Sequence, residues 1–411
     1  MSTKLSRRTF LAGTAAAVMP FAPASAQLIP FKIGLLTVKA GPLAQGGIQM
    51  EQGITLFLKE KNYTLAGRKV ELLSADTGGN PAGAKTKAQE LIERDRVDVV
   101  LGPLAAFELL AITDYVQQTK TPIIADAAAE DITQRKPNPY LIRTTTSSGQ
   151  CAHVLAHFAA TELKLRRMAT ISEDFAFGHE QCGAFHRVFE DNGGKIVRKL
   201  WPPLVTPDYT PYIAQIGNVD GVFMGFAGSN PVKFMRAYAD LGLKRIPLLG
   251  GATAMDDALL RSLGDEAIGV YSTSNYSAEF DSASNKQFVA QMLKNYENLP
   301  GIYSSGMYFA GQCIEAALQT TGGKSEDKLA FVAAMRNVSL KGTPRGDFHF
   351  DRFGNVVSDV FIRRCERKDG KLVNTIIKIY PQVSQFWTYD EKAFLQQPVY
   401  SRDSPPAKNL E

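Results

Sequence analysis

Long apolar runs, paired cysteines and histidine clusters are all missing from this 411-residue chain, and each absence removes a class of chemistry. The four cysteines, Cys151, Cys182, Cys313 and Cys365, are spaced too widely for a metal knuckle or a Cys-x-x-Cys redox pair. They read as buried thiols acting as small hydrophobes, with a Cys151–Cys182 disulfide as the alternative in an oxidising compartment. Of the five histidines, His153 and His157 have the i, i+4 spacing that can grip a metal. No His-Glu-x-x-His pattern surrounds them, so they read as a solvated helix face. No Gly-x-Ser-x-Gly elbow and no Gly-x-x-x-x-Gly-Lys phosphate loop occurs. The expectation is a protein without catalytic residues, metal or cofactor.

Strong charge is missing too. Residues 1–26 carry Lys4, Arg7 and Arg8 and no acid, so their removal lowers the formal net charge from +5 to +2. A near-neutral chain argues against nucleic acid as a partner. Those basic residues precede an uncharged stretch from Phe10 to Ala24 that ends in Ala24-Ser25-Ala26, the three-part pattern of a cleaved secretory signal. The string Ser6-Arg7-Arg8-Thr9-Phe10-Leu11 is similar to a twin-arginine signal; an ordinary signal with two arginines in its basic end is the alternative. The apolar run is roughly fifteen residues, short of the ~20 that span a bilayer, and no later segment reaches that length. The expectation is an exported, soluble, periplasmic protein.

What is present is alternation. Strand patterns at Phe31 to Thr37, Lys69 to Ser74, Val97 to Leu101 and Pro122 to Ala125 are separated by helical patterns at Gly46 to Lys61, Pro81 to Arg94 and Ala105 to Gln118. A second series has strands at Met168 to Ser172, Lys195 to Leu200, Gly221 to Met224 and Pro247 to Leu249. Its helices lie at Gly178 to Asp191, Tyr209 to Ile216 and Pro231 to Leu241. Such βαβ succession predicts two doubly wound α/β lobes with ligands meeting the carboxyl ends of parallel strands. Two helical stretches, Asn285 to Tyr296 and Ser304 to Thr320, and strand-like pairs at Asp347 to Phe350 and Asp359 to Arg363 are left over. They imply that the chain crosses between lobes more than once, at Thr144 to Ser148, Tyr271 to Asn275 and Phe348 to Asn355. Lobe 1 is then 27–145 with 275–350, lobe 2 is 146–274 with 351–395, and 396–411 is a tail whose last residues fray.

The loops that follow these strands carry a resemblance. Gly41-Pro42-Leu43-Ala44-Gln45-Gly46-Gly47 with Gly53, then Asp76, Gly102-Pro103, Asp174-Phe175-Ala176-Phe177-Gly178, Asp208-Tyr209-Thr210, Gly225 to Gly228 and Leu241-Gly242-Leu243 come in order across residues 31–365. Together they resemble the branched-chain amino-acid-binding family of type I periplasmic solute-binding proteins. The resemblance implies two lobes on a three-crossover hinge that close on a small ligand, and delivery by a monomer to an inner-membrane ABC permease. A sensory module reporting to a receptor shares the same fold and stays open.

The resemblance also places the cleft loops. Gln45 and Gly46 stand in the first, where the family often has an aromatic, so Gly46 implies a wider cleft. Leu104, Ala105, Ala106 and Phe107 follow the third strand; Ala106 replaces a common carboxylate-binding serine, and Phe107 reads equally as a ring against the ligand or as helix core. Ala127, Ala128 and Ala129, between Asp126 and Glu130, offer backbone only. In the second lobe Phe175, Phe177 and Phe226 stand where tyrosines or polar residues are frequent, beside Ala227, Gly228, Ala252 and Thr253. His179 lies close enough to donate to a ligand. The segment Gly251-Ala252-Thr253-Ala254 lacks the acid that faces an amino group in amino-acid binders, and Asp256 with Asp257 reads as a cap of the next helix. A cleft rich in phenylalanine and lacking that acid predicts an aromatic or hydrophobic carboxylate as ligand; a branched-chain amino acid or amide is the alternative.

Overall fold

The computed structural model describes Met1 and residues 29–411, so the signal-sequence readings fall outside the described residues. The first lobe is built on β1 (Phe31–Thr37), α1 (Ala44–Glu60), β2 (Thr64–Leu65), β3 (Arg68–Asp76), α2 (Pro81–Gln89), β4 (Val99–Leu101), α3 (Ala106–Gln118), β5 (Ile123–Ala125) and β6 (Leu141–Arg143). Its sheet runs in the order β2-β3-β1-β4-β5-β6. Every pair from β3 to β6 is parallel, while β2 forms a short antiparallel edge. β1 lies in the middle, covered on both faces, which is why Phe31-Lys-Ile-Gly-Leu-Leu-Thr37 is a nearly continuous apolar run and not an alternating one. Asn80 starts α2 by accepting from Gly83 N at 2.9 Å, with Pro81 supplying a first residue that needs no N–H partner.

The chain crosses at 144–148 into the second lobe, which holds α4 (Ser148–Thr161), β7 (Arg167–Ile171), α5 (Ala176–Asp191), β8 (Lys195–Leu200), α6 (Thr210–Ile213), β9 (Gly221–Met224), α7 (Asn230–Asp240), β10 (Leu248–Gly250) and β11 (Tyr271–Ser274). It then returns to the first lobe as α8 (Ala283–Tyr296), α9 (Ile302–Thr320) and α10 (Lys328–Arg336). α9 lies against α1 so closely that a Cβ on Gly53 would sit 2.0 Å from the Ser304 carbonyl oxygen. The chain finishes as β12 (Ser339–Thr343), β13 (Gly346–Phe350), β14 (Val356–Lys368), β15 (Lys371–Val383) and α11 (Glu391–Gln396).

The second sheet runs β12-β13-β14-β11-β10-β9-β7-β8, with β15 pairing β14. Its β7 to β11 core is parallel and its β12 to β15 flank antiparallel. The third crossing therefore falls before β12, earlier than the expected Phe348 to Asn355. Residues 339–350 bond to the second sheet, not to the first lobe in which the sequence reading placed them. The reason for the misplacement is visible: the hairpin hydrogen-bonds to β14 but lays its apolar side on the first lobe, with Phe348 at 5.7 Å from Phe309 of α9. A bridge from Arg143 to Asn355 also ties the following loop to β6.

The tail does not fray. Tyr400 is buried against His153, and Glu411 pairs with Arg167 at 2.7 Å while its N–H donates to Val197 O. One apolar core runs through both lobes, with a further cluster on the outer face of each sheet. All four cysteines are free and buried. No helix among the described residues is long and apolar enough to cross a membrane.

Candidate functional site

The carboxyl ends of both parallel sheets face one another, and several helices start there. An α-helix leaves its first N–H groups without intrahelical partners and carries a partial positive charge at that end. The N-termini of α3, α4, α5 and α9 converge on a cavity with about 540 Å³ of empty space, its mouth included. Its apolar wall is Leu43, Leu104, Phe175, Phe177, Ile302 and Tyr303. Ala105, Ala106, Ala128, Ala227 and Ala252 contribute small side chains and backbone, and Asp126, Thr145, Thr146, Ser147, Ser148 and Thr253 make the polar wall. A narrower extension shares Thr253 and Tyr303 and reaches Gln45, Gly46, Gln49, Gly228 and Asp256.

Twelve of the sixteen residues expected in the cleft thus line the cavity or its extension. Phe107 stands behind the wall, edge-on to Phe175 at 5.3 Å, and Phe175 stacks on Phe177 at 6.0 Å. Phe226 is fully buried in the second-lobe core between Tyr209 and Phe234. It leaves the site because the loop after β9 lays this ring against Phe234 of α7. Ala127 and Ala129 face away from the cavity and give their carbonyls to the buried Arg143, which also reaches Thr133 Oγ1 at 2.7 Å and Asn355 Oδ1 at 2.9 Å. This guanidinium fixes the loop that presents Ala128. Gly46 does not widen the cleft: a Cβ there would lie 2.7 Å from Leu104 Cδ1 and 3.0 Å from Tyr303 Cε2, so those side chains already occupy the space.

The expected lack of acid is overturned. Asp126, at the end of β5, is 3% exposed, lines the cavity, and has no hydrogen-bond partner on either carboxyl oxygen. Burial pushes its pKa well above the carboxylate range, and nearby Asp256 adds to the effect. Asp256 is not a cap for the segment that follows it. Its carboxylate accepts from Ile302 N at 2.9 Å, capping α9 of the opposite lobe, and from Gln49 Nε2 at 3.1 Å. Burial, with Asp257 beside it, lifts it to about 6. Asp257 instead pairs with Arg363 at 3.0 Å. Glu173 accepts from Ala227 N and Asn230 Nδ2, and burial lifts it to about 7. Tyr303, buried beside Asp126, Asp256 and Glu173, holds its proton well above the usual phenol range.

The remaining histidine readings also change. His153 is fully buried, within 3.0 Å of the Tyr400 hydroxyl, and burial drives its pKa to about 3. His157 packs on Trp387 and Tyr380. His179 bonds to Asp174 and lies edge-on to Trp201, outside the cavity wall.

Sequence reasoning missed Leu43, Ile302, Tyr303, Asp126 and the hydroxyl run Thr145 to Ser148. The last had a signal, since a crossover strand that ends in five hydroxyl residues must pass the cleft.

The lobes are closed on the cavity. Ser229 N donates to Pro42 O at 3.0 Å and Gln45 Nε2 to Ala258 O at 3.1 Å, both across the cleft. Gly228 has φ +62, and a Cβ on it would lie 2.0 Å from Pro42 O, so only glycine allows this approach.

Residues 30–371 match the family model described as periplasmic binding protein. A relative, the Leu/Ile/Val-binding protein homolog 6 of Brucella suis biovar 1 (strain 1330), is 28% identical over 382 residues, covering 90% of this chain and 96% of its own length. Among solved structures, a solute-binding protein of an ABC transporter from Rhodopseudomonas palustris BisB5, in complex with 3,4-dihydroxybenzoic acid, is 32% identical. It superposes with a TM-score of 0.83 over 87% of this chain and 98% of that one. A second R. palustris solute-binding protein, in complex with benzoate, is 25% identical with a TM-score of 0.81, covering 86% and 97%.

Proposed function

The chain belongs to the periplasmic binding protein family, and from that premise we propose that it captures a small aromatic carboxylate between its lobes and delivers it to an inner-membrane ABC permease. The reading includes export to the periplasm and binding without chemical change. The observation that carries it is the pairing of an apolar, ring-lined wall with converging helix N-termini. The N–H ends of α3 and α5 suit a carboxylate, which needs no charged side chain there. Phe175, Phe177 and Tyr303 suit a flat ring, and aromatic contact adds ~0.5–1.5 kcal/mol per pair beyond burial. Solved neighbours at 25% and 32% identity hold benzoate and 3,4-dihydroxybenzoate, which supports the same ligand class.

A branched-chain amino acid is the second reading, favoured by one observation: Asp126 puts a carboxyl in the cavity wall that an ammonium could use. Thermal shift and calorimetry with benzoate and hydroxybenzoates beside Leu, Ile and Val separate the two. A ligand at one hundred times its Kd stabilises by ~2.7 kcal/mol, a readable shift. Stabilisation by the amino acids alone sinks the aromatic reading.

A further inference from the structure

A ring and a carboxylate leave one group of the cavity unexplained. Asp126 is buried and its two oxygens have no partner, whereas the acids around it are all engaged: Asp256 by Ile302 N and Gln49, Glu173 by Ala227 N and Asn230, Glu180 by Ser148. Native interiors leave few polar side chains unpaired, and those that remain call for a partner from outside the chain. Ser147 Oγ, on the same wall, is also buried and unpaired. Phe175, Phe177 and Leu104 line the same cavity, so it offers apolar surface for a ring together with a buried acceptor for a polar substituent on it.

We infer that Asp126 receives a hydrogen-bond donor carried on the ligand's ring, so that the cavity selects phenol-bearing aromatic acids over the unsubstituted acid. The inference rests on the aromatic reading above. Burial, and after it the adjacent Asp256, raise the pKa of this carboxyl and favour its uncharged form. In that form it does not repel the ligand's own carboxylate, and it still accepts from a phenolic hydroxyl through its carbonyl oxygen. An ammonium would require the same group to ionise beside Asp256, a less suitable arrangement.

The test is calorimetry of the full mature chain with benzoate, 3- and 4-hydroxybenzoate, 3,4-dihydroxybenzoate and 4-methoxybenzoate, on the native protein, Asp126→Asn and Asp126→Leu. The native protein is expected to bind its best hydroxylated acid at least about ten-fold tighter than benzoate, and the methoxy acid no better than benzoate. Asp126→Asn, which retains an acceptor, keeps most of the preference. Asp126→Leu abolishes it, leaving the hydroxylated acids and benzoate equal to one another in that variant, and its unliganded melting temperature shows that it folds. Equal native affinities for benzoate and the hydroxylated acids overturn the inference alone, as does a uniform loss for every acid in Asp126→Leu. Binding of Leu, Ile or Val with no aromatic acid bound overturns both this inference and the reading on which it rests.

Discussion

Replacing Arg363 with methionine removes a cation from the second-lobe interior while keeping the length of the side chain. Arg363 and Asp257 are each 1% exposed and pair at 3.0 Å; the guanidinium also donates to the carbonyls of Tyr276 and Met255. Burial lifts the Asp257 carboxyl above its ordinary range in spite of this pairing, the mark of an ion pair whose desolvation is not fully offset. Asn374 Nδ2 and Ala278 N remain as its partners after the change, but no countercharge does. Breaking a buried pair from one side costs ~3–5 kcal/mol. For a chain of about 385 residues the unfolding entropy is ~0.8 kcal/mol/K, so Arg363→Met should lower the melting temperature by about 4–6 °C. The double variant Asp257→Asn/Arg363→Met should recover ~1–3 kcal/mol of that loss, because no charge is then left unpaired. Differential scanning calorimetry on the four corners of the cycle reads both. Ligand affinity should fall in the single variant, since Met255 and Asp257 hold the loop whose Ala252 and Thr253 line the cavity. A single-variant loss under 1 °C, or a double variant as unstable as the summed singles, refutes the reasoning.

Three other outcomes follow from the packing and the charges. Gly53→Ala should destabilise by ~1–3 kcal/mol in urea denaturation even though alanine favours a helix, because its Cβ meets the Ser304 carbonyl at 2.0 Å and α1 must move off α9. Gly228→Ala should leave the unliganded melting temperature within about 2 °C and weaken ligand binding ten-fold or more, with small-angle scattering showing less compaction on ligand addition. Its side chain would strike Pro42 O only when the lobes close. Glu130, buried beside Glu180, Arg143, Arg135 and Asp131, has its pKa raised from 4.5 to about 7, chiefly by burial. The stability that its protonated form contributes is fully present below about 4.5 and is lost as pH rises through about 7. Glu130→Gln should therefore gain in unfolding free energy relative to the native protein between pH 5 and 8, by an amount on the order of 1–3 kcal/mol in urea denaturation; a constant difference across that range contradicts this.

The elements that the sequence revealed are those in which local pattern and tertiary role agree. Lys195–Leu200, a partly buried edge strand, and Gly221–Met224, a buried one, are bounded by turn residues, and both ends of each fall where the pattern places them. The long β14–β15 hairpin was read only as a fragment because Arg363, Arg364, Glu366, Arg367 and Lys368 hide its alternation under charge. Its turn carried a signal that went unread: Asp369 and Gly370, both at positive φ, are an Asp-Gly hairpin pair. Within the site, small and aromatic loop residues were found because the strands that carry them were found. Phe226 was misplaced because one residue of register decides between cleft and core, and hydrophobicity does not distinguish them. Asp126 was named only as the flank of the alanine run, because an acid after a buried strand carries no sign in the sequence of which way it faces. Only the three-dimensional packing shows that, among the described residues, none bonds to its carboxyl oxygens.

Asp256 is where closure of the lobes and the chemistry of the cavity meet. It belongs to the second-lobe loop after β10, yet its carboxylate is bonded to Gln49 of α1 and to the first N–H of α9, both in the first lobe. Opening the cleft returns these groups to water, and each hydrogen bond exchanged in this way changes the free energy by only ~0.5–1.5 kcal/mol net. The other cross-cleft bonds, from Ser229 to Pro42 and from Gln45 to Ala258, are of the same kind. A handful of such bonds leaves open and closed forms within a few kcal/mol of one another, a gap that differential ligand affinity can cover. Closure also brings Asp256 toward Asp126 and dries both, so the closed form without a donor holds one acid that is bonded and one that is not. A ligand hydroxyl at Asp126 satisfies the second in the closed form only. Its binding energy then goes into closing the lobes, and recognition of the cargo and closure of the cleft become one equilibrium.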